Sequence, residues 1–151
     1  MFRGIHQVSI DAKGRVSLPA RLRDGLACYQ SHSIVITIDP ISRCLLLYPL
    51  AEWEIIQAQL NSLPTFQPQA RRLQRLLVGH ATDLEIDKAG RVLLPMPLRE
   101  FARLEKKVTL LGQGKKLEIW SQDEWELQRD HYLSQDSLEN TQTETMMDIS
   151  L

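Results

Sequence analysis

Asp11-Ala-Lys-Gly-Arg15, followed by Val-Ser-Leu-Pro-Ala-Arg-Leu-Arg23, returns seventy-six residues later as Asp87-Lys-Ala-Gly-Arg91 and Val-Leu-Leu-Pro-Met-Pro-Leu-Arg99. Asp, Gly, Arg, Val, Leu, Pro, Leu and Arg recur at the same spacing. This is a duplicated unit. In each copy a glycine, Gly14 or Gly90, provides the residue that takes positive φ cheaply in a tight turn.

Working outward, Phe2, Ile5, Val8 and Ile10 alternate with polar residues as a half-buried strand does, and Val16 and Leu18 mark a second short strand. Pro19 suits the first position of a helix, which Gly25 is expected to stop. Ile34–Asp39 is β-branched almost throughout and Cys44–Tyr48 is a continuous apolar run, so both read as strands. Pro49 opens a helix carrying Trp53, Ile56, Leu60 and Leu63 at helical spacing; its apolar face, and that of Trp125, is expected to pack in a core or interface. A connector over 64–80 holds its own helix, with Leu73, Leu76 and Leu77 on one face and Arg71, Arg72 and Arg75 on or beside the other. A solvated face, a patch for a polyanion such as DNA and a subunit contact are all open for those arginines.

The order then repeats. Leu84 and Ile86 lead into the second loop, Pro95 into a helix near Leu98–Leu104, and Val108–Leu111 into a turn at Gly112-Gln-Gly114. Leu117-Glu-Ile-Trp120 aligns with Leu45-Leu-Leu-Tyr48 at an offset of 72, so the first copy is four residues longer between its halves. Ser121 and Glu124 make a capping box for the last helix. The expected organisation is a first repeat over 1–63, the connector over 64–80, a second repeat over 81–134 and a disordered acidic tail over 135–151. Each repeat is only about 55 residues, too small to bury much of its surface alone. Two copies paired about a pseudo-two-fold axis would close their strand edges into one α+β, barrel-like fold.

The formal charge of −1 hides an asymmetry: residues 1–117 carry 17 Lys+Arg against 10 Asp+Glu, and residues 118–151 carry 1 against 9. A basic body admits a polyanionic partner without demanding one. No apolar run is long enough to span a membrane, and the start does not read as a secretory signal. Cys28 and Cys44 are expected to be buried free thiols of a reducing cytoplasm. His6, His32, His80 and His131 lack metal-ligand spacing, and no Ser-His-Asp, H-E-x-x-H, phosphate-loop or Asp-Thr/Ser-Gly pattern occurs. No enzyme activity, cofactor, metal, membrane or small-molecule substrate is expected.

The Met1-Phe-Arg-Gly4 start, the paired Asp-x-x-x-Arg loops, Leu45-Leu-Leu-Tyr-Pro-Leu-x-Glu-Trp53 and Arg71-Arg-Leu-Gln-Arg-Leu-Leu-x-Gly-His-Ala81 together resemble the bacterial MraZ family. The resemblance runs to about residue 130. It implies a pseudo-two-fold duplicated AbrB-like swapped-hairpin β-barrel with flanking helices. It also implies a cytoplasmic, nucleoid-associated DNA-binding transcriptional regulator, usually a repressor of the division and cell-wall gene cluster that includes its own gene. Such proteins assemble as ring homo-oligomers and bind tandem promoter repeats of double-stranded DNA through the Asp-x-x-x-Arg loops.

On this resemblance the DNA-binding residues are Arg15, Lys13, Arg3, Arg21, Arg23, Arg91 and Lys88, with Asp11, Gly14, Asp87 and Gly90 shaping the loops. A carboxylate facing phosphates repels them, so Asp11 is expected to accept hydrogen bonds from turn amides or to hold Arg15. Arg15 is suited to bidentate bonds with phosphate or guanine, and Arg21 and Arg23 are expected to flank it. The bare motif also fits a structural clamp across a tight turn. The copies differ in charge: residues 1–30 hold five basic and two acidic residues, residues 82–106 five of each. The first loop is therefore expected to contribute more to phosphate affinity. Two rivals remain at this level: an antitoxin-type protein-interaction module using the acidic tail, and a small enzyme on a double-psi-like barrel.

Overall fold

A computed structural model describes residues 1–134 and 149. The expected disordered tail, 135–151, lies almost wholly outside the described residues. The first copy supplies strands β1 (Phe2–Ser9) and β2 (Arg15–Ser17), helix α1 (Ala20–Ala27), strands β3 (Ser33–Ile38) and β4 (Leu45–Pro49), and helix α2 (Leu50–Asn61). Helix α3 (Pro68–Leu77) connects to β5 (Thr82–Glu85), β6 (Arg91–Leu93), α4 (Met96–Phe101), β7 (Lys107–Gly114), β8 (Leu117–Ser121) and α5 (Gln122–Tyr132).

The fold is mixed α+β, with a six-stranded antiparallel sheet ordered β1-β7-β8-β4-β3-β5 and a separate two-stranded ribbon, β2-β6. If β1 to β4 are matched with β5 to β8, exchanging the copies reverses this order onto itself. Each copy's first strand pairs with the other copy's third strand. The registers obey the same axis: Val16 sits opposite Val92, and Leu46 opposite Glu118, equivalent residues meeting each other. Ser9 pairs with Lys107 and Glu85 with Ser33, which sets the offset of β3 to β7 at 74. The four extra residues of the first copy are thus divided, two before β3 and two in the β3–β4 turn.

Both faces of the sheet centre are covered, which explains the unbroken apolar runs in β3 and β4. Leu45, Leu47, Ile36, Leu110 and Ile119 pack with Val16, Leu18, Val92 and Leu94 of the ribbon segments in one cluster. Val35, Leu46, Tyr48 and Trp120 face the other way, onto Trp53 and Leu60 of α2. Helix α3 is tied into this outer layer by Thr37 Oγ1 donating to Leu77 O at 2.6 Å and Gln74 Nε2 donating to Leu60 O at 2.8 Å. Trp53 is buried, as expected of an apolar helix face; Trp125 is half-buried and meets Trp120 edge-on at 5.6 Å.

Several local expectations are corrected. Helix α1 does not stop at Gly25 but runs on to Ala27. Gly25 is there because a Cβ would come within 2.8 Å of the Phe2 ring, so its smallness serves packing rather than termination. Strand β7 continues through Gly112, where a Cβ would collide with the Arg3 backbone of β1, and the turn falls after Gly114. The helix expected near Leu98–Leu104 is shorter and earlier. Cys44 is buried, and burial pushes its thiol pKa up, but Cys28 is exposed, its thiol donating to Gly25 O at 2.9 Å. The Ser121 capping box is half-formed: Glu124 N–H donates to Ser121 Oγ at 3.5 Å, while the Glu124 carboxylate turns to Arg103.

Candidate nucleic-acid interface

Each Asp-x-x-x-Arg segment closes a turn around its own aspartate. Asp11 Oδ1 accepts from the amides of Lys13 and Arg15, both at 2.9 Å, and Oδ2 accepts from Arg15 Nε at 2.8 Å. Two main-chain bonds complete it, Gly14 N–H to Asp11 O at 3.0 Å and Asp11 N–H to Arg15 O at 2.9 Å. The second loop repeats every bond. Asp87 accepts from Ala89 and Arg91 amides at 2.9 and 2.8 Å and from Arg91 Nε at 3.0 Å. Gly14 and Gly90 hold φ of 87° and 77°, a region that strains any residue with a Cβ.

The division of labour follows from the donor inventory. Each guanidinium commits its Nε–H to the aspartate and keeps two terminal nitrogens clear of any ion pair among the described residues. The aspartate fixes the arginine's orientation before any ligand arrives, so less conformational freedom is lost on binding. Among the described residues, the Asp11 carboxylate bonds only within its own loop. Hydrogen bonding from the Arg15 amide, reinforced by the Arg15 side chain and the Lys13 amide, holds its carboxyl down from 3.8 to about 2. The Arg91 amide lowers Asp87 in the same direction.

A pH dependence follows. Asp11 has a folded pKa below its unfolded value, so its clamp is complete above about pH 4 and is lost as pH falls towards 2. Carboxyl carbon NMR is expected to show Asp11 titrating near 2, with the Arg15 amide still protected at pH 4. A midpoint at the ordinary aspartate value would show the clamp to be absent.

The ribbon brings the two loops together. Arg15 lies opposite Leu93, and Ser17 opposite Arg91, with the Val16–Val92 pair between them. By strand alternation Arg15, Ser17, Arg91 and Leu93 share one face, and Val16 and Val92 point into the core, each 1% exposed. Arg15 and Arg91 are diagonal cross-strand neighbours, roughly 7–8 Å apart between α-carbons. The face presents two pre-oriented guanidiniums, the Ser17 hydroxyl and the exposed Leu93 side chain.

The other residues named from sequence divide into two groups. Lys13 and Lys88 are exposed on the two loops, beside this face, and Arg21 is exposed at the start of α1. Arg23 does not flank the first loop as expected. It lies across Gly90 of the second loop, in a half-open cleft of about 420 Å³ shared with His32 and Lys88. Arg3 is at the opposite end of β1 from the loop, paired with Gln113, and is not brought to the ribbon. Arg71, Arg72 and Arg75 are exposed on α3, which packs against α2 and β3 rather than the ribbon. The loop motif does not single out Ser17, Leu93 or Arg99, which the fold brings to the ribbon face or against Gly14. The recurrence of Arg23 as Arg99 was the available signal for the last.

A family model described as "MraZ protein, putative antitoxin-like" matches the chain twice, over residues 1–76 and 77–149. The chain is 80% identical over its full length, and the relative's, to a protein of Marinomonas sp. (strain MWYL1) called transcriptional regulator MraZ. Proteins with the same name from Halorhodospira halophila (strain DSM 244 / SL1) and Legionella pneumophila (strain Corby) are 52% and 50% identical to it. The first match covers 89% of each chain, the second 91% of this chain and 90% of the relative.

Proposed function

Since the chain belongs to the MraZ family, we propose that it is a DNA-binding transcriptional regulator that grips tandem promoter boxes with its two Asp-x-x-x-Arg loops. The observation that carries this reading is the shared face of β2 and β6, with Arg15 and Arg91 clamped through Nε and their terminal nitrogens in no ion pair among the described residues. A two-stranded ribbon fits the major groove of B-DNA, and arginine is the side chain that pairs bidentately with phosphate or with guanine O6 and N7. The first loop is the stronger phosphate site, because its surroundings hold more bases than acids. Enzyme chemistry plays no part in this proposal.

The regulated target in this reading is the division and cell-wall gene cluster that includes its own gene, with repression the sign of regulation. Residues 1–63 and 81–134 act as two AbrB-like repeats of one swapped-hairpin fold unit, a reading supported by the exchange of first strands between copies. The protein works in the cytoplasm, on the nucleoid, as a ring homo-oligomer. One ribbon makes few phosphate contacts, so a single protomer binds weakly. A ring that presents several ribbons to tandem boxes gains through effective concentration.

Titration with the DNA upstream of its own gene tests this. Affinity is expected to fall steeply with salt, the logarithmic slope being about −0.9 per neutralised phosphate. A fragment with one box is expected to bind on the order of 100-fold more weakly than the full array. Equal affinity for one box and for the array would remove the multivalent mechanism.

A further inference from the structure

Each loop rests on a side chain from the other copy. Leu94 N–H donates to Gly14 O at 3.0 Å, and Leu18 N–H to Gly90 O at 2.8 Å, so each glycine carbonyl is held across the pseudo-two-fold axis. A Cβ on Gly14 would lie 2.9 Å from Arg99 Cζ and 3.0 Å from Nη2, which places the Arg99 guanidinium directly against the buried Gly14 backbone. Arg99 Nε in turn donates to Leu94 O at 2.9 Å. A closed circuit results: Leu94 holds the Gly14 carbonyl, Arg99 holds the Leu94 carbonyl, and the Arg99 guanidinium packs back on Gly14. The Arg15 amide, one residue on, is a ligand of Asp11.

We infer that Arg99 is a positioning residue for the Asp11–Arg15 loop, so that the DNA-gripping unit is composite, the loop coming from the first copy and its seat from the second. This rests on the reading that Arg15 contacts DNA. The guanidinium sets the height and tilt of the loop backbone, through its planar contact with Gly14 and its bond to Leu94 O. The two seats are unequal. Arg23 lies against Gly90 through its Cδ first, with Nη1 2.8 Å from the Cβ position, but it is exposed and makes no bond among the described residues like the one from Arg99 to the Leu94 carbonyl. The loop richer in positive charge is therefore also the more firmly seated one.

The test compares Arg99→Gln, Arg99→Lys and Arg15→Ala in titrations of the upstream DNA over a salt series, with amide hydrogen exchange of the free proteins. Arg15→Ala is expected to lower affinity and to flatten the salt slope by about 0.9. Arg99→Gln is expected to lower affinity roughly tenfold with the slope unchanged, since no phosphate contact is removed, and to speed exchange at the Gly14 and Arg15 amides. Arg99→Lys keeps the charge but loses the planar fork and the Nε bond, and is expected to show the same pattern in smaller measure. Unchanged binding for Arg15→Ala overturns the DNA reading itself. With that effect present, wild-type affinity and loop exchange in both Arg99 variants overturn the positioning role. A slope flattened by Arg99→Gln as by Arg15→Ala makes Arg99 a phosphate contact and overturns it equally.

Discussion

Arg15→Ala is expected to weaken binding to the upstream DNA by about 10- to 100-fold per ribbon while leaving the thermal midpoint nearly unchanged. The binding loss follows from removing a bidentate-capable guanidinium, worth about 1–3 kcal/mol at a phosphate or base edge. An assembly with several ribbons on one array multiplies that loss, because every site is weakened at once. Stability changes little for a separate reason. The Arg15–Asp11 pair is exposed to solvent and screened, and Asp11 retains the Lys13 and residue-15 amides that hold the turn. Arg91→Ala is expected to lose less affinity, since its neighbourhood carries as many acids as bases. Electrophoretic or fluorescence titration of the two variants against wild type decides it, and unchanged binding in both would sink the loop assignment.

Leu47→Ala is expected to cost about 2–5 kcal/mol and to lower the melting of the whole described fold in one transition. Leu47 is 1% exposed and lies in the cluster where strands of both copies meet. Its strand, β4, pairs with β8 of the second copy, while β3 pairs with β5. A cavity there removes packing shared by both repeats, so neither can melt alone. Calorimetry at one protein concentration should give a single transition for the variant, as for wild type. Two resolved transitions, with only one displaced by the substitution, would mean that the repeats are independent domains after all.

Much of this was legible before any coordinates. The seventy-six-residue echo announced the duplication, Pro49 marked the start of α2, and the β-branched run from Ile34 marked β3. The bonds of Asp11 and the positive φ of Gly14 lie within five residues of chain, where a local motif can be read. What escaped depends on distant neighbours. Gly25 and Gly112 looked like a stop and a turn because a glycine needed for close approach has the same letter as one needed for a bend. Proximity in sequence puts Arg23 beside the nearer loop, though the exchange of strands carries it to the farther one. Arg99 had no local signature at all; its significance exists only once Gly14 of the other copy is laid against it.

The pair Leu46–Glu118 gives the duplication a further meaning. In a dimer of identical single units, a residue on the symmetry axis must be its own partner, and a carboxylate there would face another carboxylate at close range. Joining the two units in one polypeptide lifts that requirement of self-complementarity. Leu46 fills the apolar layer above the sheet, while Glu118, opposite it, accepts the indole N–H of Trp120 at 2.9 Å. The same freedom lets Ser17 and Leu93 differ on the ribbon face, so under the proposed function the two halves of that face need not meet equivalent stretches of DNA.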